Sequence, residues 1–295
     1  MIYTITLNPS IDYTMRAENF EAGKINRSEE EISSFGGKGL NVSFVLNELG
    51  AESRALGFVG GYSGDEIVRL SRRAGIECDM CRIRDDSRIN IKIISEKETA
   101  INGKGPFIRE DEENALLEKL SHLTKEDTVI LSGKSPDSES GRLLENVIDA
   151  ISHTRFVADM EGDALLYAVE RGPFLIKPNA KEAAEIFGIS EDDEEGLVKA
   201  AVRLRDMGAK NVLLSMGECG IILAADDGKI YRMRAPEVEV VSTVGAGDSC
   251  LAGFLAGYGK GMSFALALSA ASGSAAAASA YLATREKILE IFSEM

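Results

Sequence analysis

The sequence predicts an α/β protein: a doubly wound sheet with helices on both faces, carrying a second, small β-sheet. Three observations predict it. From Arg109 onward, helical and β-rich runs alternate with short links, as in strands crossed by helices. Residues 11–35 and 86–106 hold short alternating strands too polar to be buried on both faces, so they form a sheet outside the core. Val241–Cys250 reads as a β-rich run, a glycine turn and a helix start, the layout that binds ligands at a strand edge. The expected division is therefore 1–10, 36–85 and 107–295 for the core, with 11–35 and 86–106 for the small sheet.

Composition narrows the function. Of the 295 residues, 33 are Lys or Arg and 48 Asp or Glu, a net charge of −15. No basic excess exists to drive binding to nucleic acid or an anionic membrane. Any phosphate ligand must then meet a local basic cluster. The N-terminus lacks the charged-then-apolar layout of a signal peptide, so a cytoplasmic location is expected. Phe264–Ala283 is apolar but built of Ala, Ser and Gly, which fits a closely packed helix better than a bilayer span. Cys78 and Cys81 form a lone CxxC, and the only histidines, His122 and His153, stand in no motif, which argues against a zinc site or a histidine triad.

In chain order, Ile2–Leu7 is an opening strand stopped by Asn8-Pro9, with Asp12 just beyond its carboxyl end. Asp12 is either a turn residue or a ligand contact. Tyr13–Arg16 and Ile25–Phe35 read as strands of the small sheet. Gly36-Gly37-Lys38-Gly39-Leu40-Asn41 opens a helix whose Val42, Val45, Leu46 and Leu49 share a face. It is neither a P-loop nor a dinucleotide fingerprint, because Gly39 follows Lys38 and Val42 holds the third glycine's place. Arg54–Val59 and Asp79–Arg84 read as strands around a helix at Gly64–Ala74. Arg88–Ile94 and Glu98–Asn102 return to the small sheet, with Arg88, Asn90 and Lys92 on one face.

Further on, helices are expected at Arg109–Leu123, Ser140–Ser152, Gly162–Glu170, Ala180–Phe187 and Glu194–Met207. Strands are expected at Thr128–Leu131, Phe156–Ala158 and Leu175–Ile176, with an antiparallel pair, Asn211–Leu214 and Gly220–Ala224, and Ile230–Met233 nearby. Three strand ends carry polar residues: Ser132-Gly133-Lys134, Lys177-Pro178-Asn179 and Ser215-Met216-Gly217. Asn179 and Glu182 lie one helical turn apart, either as a cap or as a water-mediated magnesium site. At Val244–Asp248, Asp248 is either a helix-start acid or a general base beside an anion hole.

Together these residues resemble the PfkB-type, ribokinase-like carbohydrate kinases. The resemblance spans nearly the whole chain, from Thr6-Leu7-Asn8-Pro9-Ser10-Ile11-Asp12 to Val244-Gly245-Ala246-Gly247-Asp248, with Gly36–Asn41 and Ser242–Asp248 in the family's order. Thr4, the opening segment, GGKGLN and Ser87–Asn90 are most similar to 1-phosphofructokinases and tagatose-6-phosphate kinases. The resemblance implies Asp248 as base and the amides of Gly245, Ala246 and Gly247 as anion hole. Asp12, Gly36, Gly37, Asn41 and Asn90 would hold the sugar, and Lys38 and Arg88 its phosphate or the one in transit. Lys177, Ser215, Gly217 and Gly220 would contact the nucleotide, and Asn179 and Glu182 magnesium through water. The small sheet would be a lid that pairs across a homodimer.

The implied reaction is ATP- and magnesium-dependent phosphorylation of a ketohexose phosphate, fructose 1-phosphate first, with tagatose 6-phosphate or fructose 6-phosphate as the alternative. A kinase of an unphosphorylated sugar or nucleoside, and a sensor that binds sugar phosphate without turnover, are further alternatives. One departure touches the substrate: where the family continues Ser-Gly with Ser-Leu-Pro-Pro-Gly, this chain has Lys134-Ser135-Pro136-Asp137-Ser138 after Ser132-Gly133.

Overall fold

The computed structural model describes residues 1–295. Its main sheet grows from β1 (Ile2–Thr6), whose β-branched residues pair in parallel on both sides. To one side lie β4 (Ser53–Gly60), β5 (Glu77–Cys78) and β6 (Cys81–Ile83). To the other lie β10 (Thr128–Ser132), β12 (Arg155–Asp159), β13 (Leu175–Ile176), β14 (Asn211–Ser215), β15 (Ile221–Ala224) and β16 (Ile230–Met233). All pairings are parallel except the last two, β14–β15 and β15–β16. Strand order reverses between β1 and β10, and such a switch opens a crevice at the carboxyl ends of the strands.

Period-two alternation divides the core between the faces of this sheet. Val129, Leu131, Phe156 and Ala158 pack under α3 (Glu110–Ser121), α4 (Leu143–Ile151), α5 (Gly162–Val169), α6 (Ala180–Phe187) and α7 (Glu194–Asp206). Ile130, Val157 and Leu213 pack on the other side with α1 (Lys38–Glu48), α2 (Gly61–Arg73), α8 (Ala246–Gly257), α9 (Met262–Ala277) and α10 (Arg285–Ser293). The Ala/Ser/Gly run becomes α9, which lies directly on α8; a side chain at Gly253 would meet Leu268 O and Ser272 Oγ, both at 2.5 Å. No helix is long and apolar enough to cross a membrane.

The small sheet has the order β3 (Glu30–Gly36), β2 (Ser10–Arg16), β7 (Arg88–Ile94), β8 (Glu98–Asn102). Two further short strands, β9 (Phe107–Ile108) and β11 (Asp137–Ser138), pair in parallel.

Some expected elements differ. Val238–Ser242 forms no strand despite its β-branched residues. It runs as a loop whose Val241 and Ser242 N–H groups are taken by Ala277 O of α9, at 2.8 and 3.1 Å, instead of by a neighbouring strand. The expected strand Ile25–Phe35 begins only at Glu30, where pairing with Arg16 starts. Asp79–Arg84 shortens to β6, and the helix expected across Phe264–Ala283 ends at Ala277.

Candidate active site

The crevice is furnished from strand ends. Gly245, with φ 77°, caps α8 in the left-handed region that glycine tolerates, and Leu282 Cδ2 occupies the place a side chain would take. The first N–H groups of a helix have no intrahelical acceptor. Here Ala246 N reaches only Thr243 O, at 3.4 Å, leaving the Gly247 and Asp248 amides at the crevice.

Asp248, one turn in and 7% exposed, accepts from Asn41 Nδ2 at 2.8 Å. Burial, then the nearby Asp159 charge, pushes its carboxyl up to about 6, against the pull of Asn41, Lys177 and Lys38. A base of that strength is ionised at neutral pH yet holds a proton better than an ordinary aspartate.

Beneath lies a trio in which sequence reasoning found only the cations. Lys38 Nζ and Lys177 Nζ each lie 3.3 Å from Asp159 Oδ1. Asp159, at the end of β12, is 1% exposed, and its Oδ2 has no partner. Burial raises this carboxyl, but the two ammoniums outweigh burial and hold it below its ordinary value. Burial, the largest single influence, pulls Lys177 down, but Asp159 together with Cys250, Asp248 and Glu182 outweighs it and raises the ammonium above its ordinary value. Lys177 Nζ stands 3.3 Å from where a Gly247 side chain would begin, so it faces the open amides. Asp159 was legible only as a polar residue closing a strand.

On the small-sheet side, Asp12, Ser10 and Asn90 converge. Ser10 Oγ and Asn90 Nδ2 both donate to Asp12 Oδ1 at 2.8 Å, and Asn90 Oδ1 accepts from Gly103 N at 3.2 Å. Gly36 is glycine because Ser10 Oγ and Asp12 Oδ1 fill the space of a side chain, while Gly37 caps α1. Gly103 had no motif to reveal it, and Ser10, although inside the opening Thr6–Asp12 segment, was assigned no role. Arg88 is half-buried, forms no ion pair, and donates through Nε to Asn8 O at 3.2 Å. Burial pulls its guanidinium below the ordinary value, with Asp12 acting the other way. A half-buried guanidinium with an acid nearby but no ion-pair contact is free to bind an anion.

At the far end, Asn179 and Glu182 form a reciprocal capping box on α6. Asn179 N and Nδ2 donate to the two Glu182 oxygens at 3.0 and 2.8 Å, and Glu182 N donates to Asn179 Oδ1 at 2.8 Å. Ser215 bridges to Asn179 through the backbone. Gly217 has φ 57° and open space around it, whereas a side chain at Gly220 would run into Met233 O. Gly220 is thus accounted for by chain crossing. Lys134 is 81% exposed and pairs with Glu161 at 3.2 Å.

A helix N-terminus with free amides, a buried acid beside it and two paired lysines below define a phosphotransferase on a doubly wound sheet. The profile of the pfkB family carbohydrate kinases matches residues 5–290, and the chain belongs to that family. It is 40% identical over 299 residues to a 1-phosphofructokinase of Bacillus subtilis, covering 100% of this chain and 98% of that protein. It is 33% identical over 271 residues to a D-tagatose-1-phosphate kinase of Bacillus licheniformis, covering 91% and 89%. Its fold is similar to phosphofructokinase-2 from Escherichia coli in complex with fructose-6-phosphate, with TM-score 0.90, 26% identity, and coverage of 99% and 98%.

Proposed function

We propose that this sugar-phosphate kinase transfers the γ-phosphoryl group of ATP to the 6-hydroxyl of fructose 1-phosphate, giving fructose 1,6-bisphosphate and ADP. The observation that carries the phosphoryl-transfer chemistry is Asp248, buried at the start of α8 beside free amides and held by Asn41. The choice of sugar rests on the 1-phosphofructokinase likeness and on Arg88, a guanidinium free to bind an anion beside the Asp12–Asn90 cluster.

The Asp248 carboxylate takes the proton as the 6-oxygen attacks the γ-phosphorus, and the bond from that phosphorus to the β–γ bridging oxygen breaks, releasing ADP. The amides that open α8, with those of Gly247 and Asp248 free and that of Ala246 held only by a 3.4 Å bond to Thr243 O, receive the charge spread over the transferring group. Lys38 and Lys177 add positive charge from below, and Asp159 keeps them in place. Asp12, Asn90, Gly36 and Gly37 orient the sugar, Arg88 binds its phosphate, and the Ser215–Gly217 turn meets the nucleotide.

Magnesium fits as an outer contact. No three acidic, Cys or His side chains converge, and each Glu182 oxygen already accepts one bond from Asn179, leaving a lone pair for a water. Burial also raises the Glu182 carboxyl, an imbalance that a nearby cation corrects. When bound, magnesium supplies charge neutralisation on the nucleotide phosphates.

The small sheet acts as a lid and a homodimer contact in this reading. Ile25, Ile32 and Ile101 are 93%, 53% and 59% exposed there, apolar surface that a second copy would cover. An ADP-release assay with ATP and magnesium, comparing fructose 1-phosphate, tagatose 1-phosphate, fructose 6-phosphate, tagatose 6-phosphate and fructose, tests the function. Preference for fructose 1-phosphate supports it; preference for a 6-phosphate reverses the sugar in the site, and turnover of none removes the kinase reading.

A further inference from the structure

Two adjacent residues after α9, Tyr281 and Leu282, touch both halves of the site. Tyr281 Oη donates to Phe35 O at 2.8 Å. Its ring meets the Phe35 ring edge-on, centroids 5.9 Å apart, and lies 6.5 Å from that of Phe44. Phe35 immediately precedes Gly36, against which Ser10 and Asp12 rest, and β3 is the edge strand of the small sheet. Phe44 belongs to α1, the helix that carries Lys38 and Asn41. Leu282 is 4% exposed and fills the space beside Gly245, the cap that launches the α8 amides.

The stretch is pinned at both ends. Ala277 O accepts from Val241 and Ser242 N–H, and Arg285 N donates to Glu48 Oε2, on the last residue of α1, at 2.7 Å. Movement of the β3 edge therefore strains a short, doubly anchored loop whose next side chain props the anion-hole turn. Packed contacts of this kind have few alternative arrangements, so displacement at one end is felt at the other.

We propose that Tyr281 is a positioning residue that couples the sugar half of the site to the phosphoryl half, a role that rests on the kinase reading above. Coupling free energies between sites commonly correspond to roughly five- to 150-fold changes in affinity, and they act equally in both directions. Burial raises the Tyr281 phenol well above its ordinary value, so the hydroxyl keeps its proton and remains a donor.

The test is calorimetric titration of a non-hydrolysable ATP analogue, with and without a saturating amount of the sugar phosphate that the parent turns over. In the parent, the sugar phosphate should tighten the analogue at least about fivefold. In Tyr281→Phe the ratio should fall below about twofold, with each ligand's separate affinity kept within about twofold and kcat/KM reduced about tenfold. A variant with a lower Tm but the parent's ratio overturns the proposal, as does a parent with no ratio. Should Tyr281→Phe fail to fold, Leu282→Val, which trims the other end of the bridge, is read by the same ratio and the same expectations. A parent that turns over no sugar phosphate removes the kinase reading; one that does, with the ratio intact in the variant, removes the coupling alone.

Discussion

Asn41 Nδ2 donates to Asp248 Oδ2 at 2.8 Å across 207 residues of chain, joining the first turn of α1 to the first turn of α8. The bond steadies the ionised form of Asp248 against its burial. Removing the donor, as in Asn41→Ala, should raise the Asp248 pKa above about 6, moving the acid limb of the kcat/KM profile upward. A hydrogen bond to a charged group contributes about 1.5–3 kcal/mol, so the limb should move up by about one to two pH units, and kcat/KM at pH 7 should fall roughly two- to fifteenfold and recover by pH 9. An unmoved limb would detach Asn41 from the base.

Asp248→Asn should abolish proton transfer while keeping both ligands bound, with kcat down about 10²- to 10⁴-fold. Stability should change in the opposite sense. The folded pKa of about 6 exceeds the ordinary 3.8, so folding favours the protonated acid. That stability is full below the ordinary value and lost as pH rises through about 6. At pH 8 the variant escapes an ionisation penalty of about 3 kcal/mol and should melt higher than the parent, with no advantage at pH 4. Thermal melts at both values decide.

Asp159→Asn removes the acceptor shared by Lys38 and Lys177 and the like charge facing Asp248. Leaving buried lysine charge unmatched costs about 3–5 kcal/mol, so the melting temperature should drop. Without the Asp159 charge the acid limb should move below about 6, and kcat should still fall, by about tenfold or more, because the lysines lose their station. A pH–rate profile with unchanged midpoint would show that Asp159 acts on neither.

Arg88→Ala should raise KM for the sugar phosphate about ten- to hundredfold with little change in KM for ATP. Equal effects on both substrates, or none, would place the phosphorylated end of the sugar elsewhere.

The two nucleotide-side glycines should separate cleanly. Gly220→Ala forces a methyl into Met233 O and should lower stability first, whereas Gly217 faces open space. Gly217→Ala should cost only about 1–2 kcal/mol of backbone strain and raise KM for ATP. Melting curves beside ATP titrations distinguish them.

Much was legible in the sequence because it is written locally. Period-two and period-3.6 patterns marked β1, β7, β10, α6 and α7, and glycine pairs marked the starts of α1 and α8. Where long-range partners decided, the reading failed: Val238–Ser242 has strand chemistry, but its N–H groups go to Ala277 O of α9, and Ile25–Glu29 precedes the point where β3 meets β2. Local sequence was enough for the alternation of strands and helices, the two glycine turns and the residue types that can carry a phosphoryl reaction. It took the fold to bring Asp159 between Lys38 and Lys177, Asn41 to Asp248, and Tyr281 to Phe35. Those relations join residues tens to hundreds of positions apart, and no periodicity or spacing records them; they follow from parallel strands ending at one edge of one sheet.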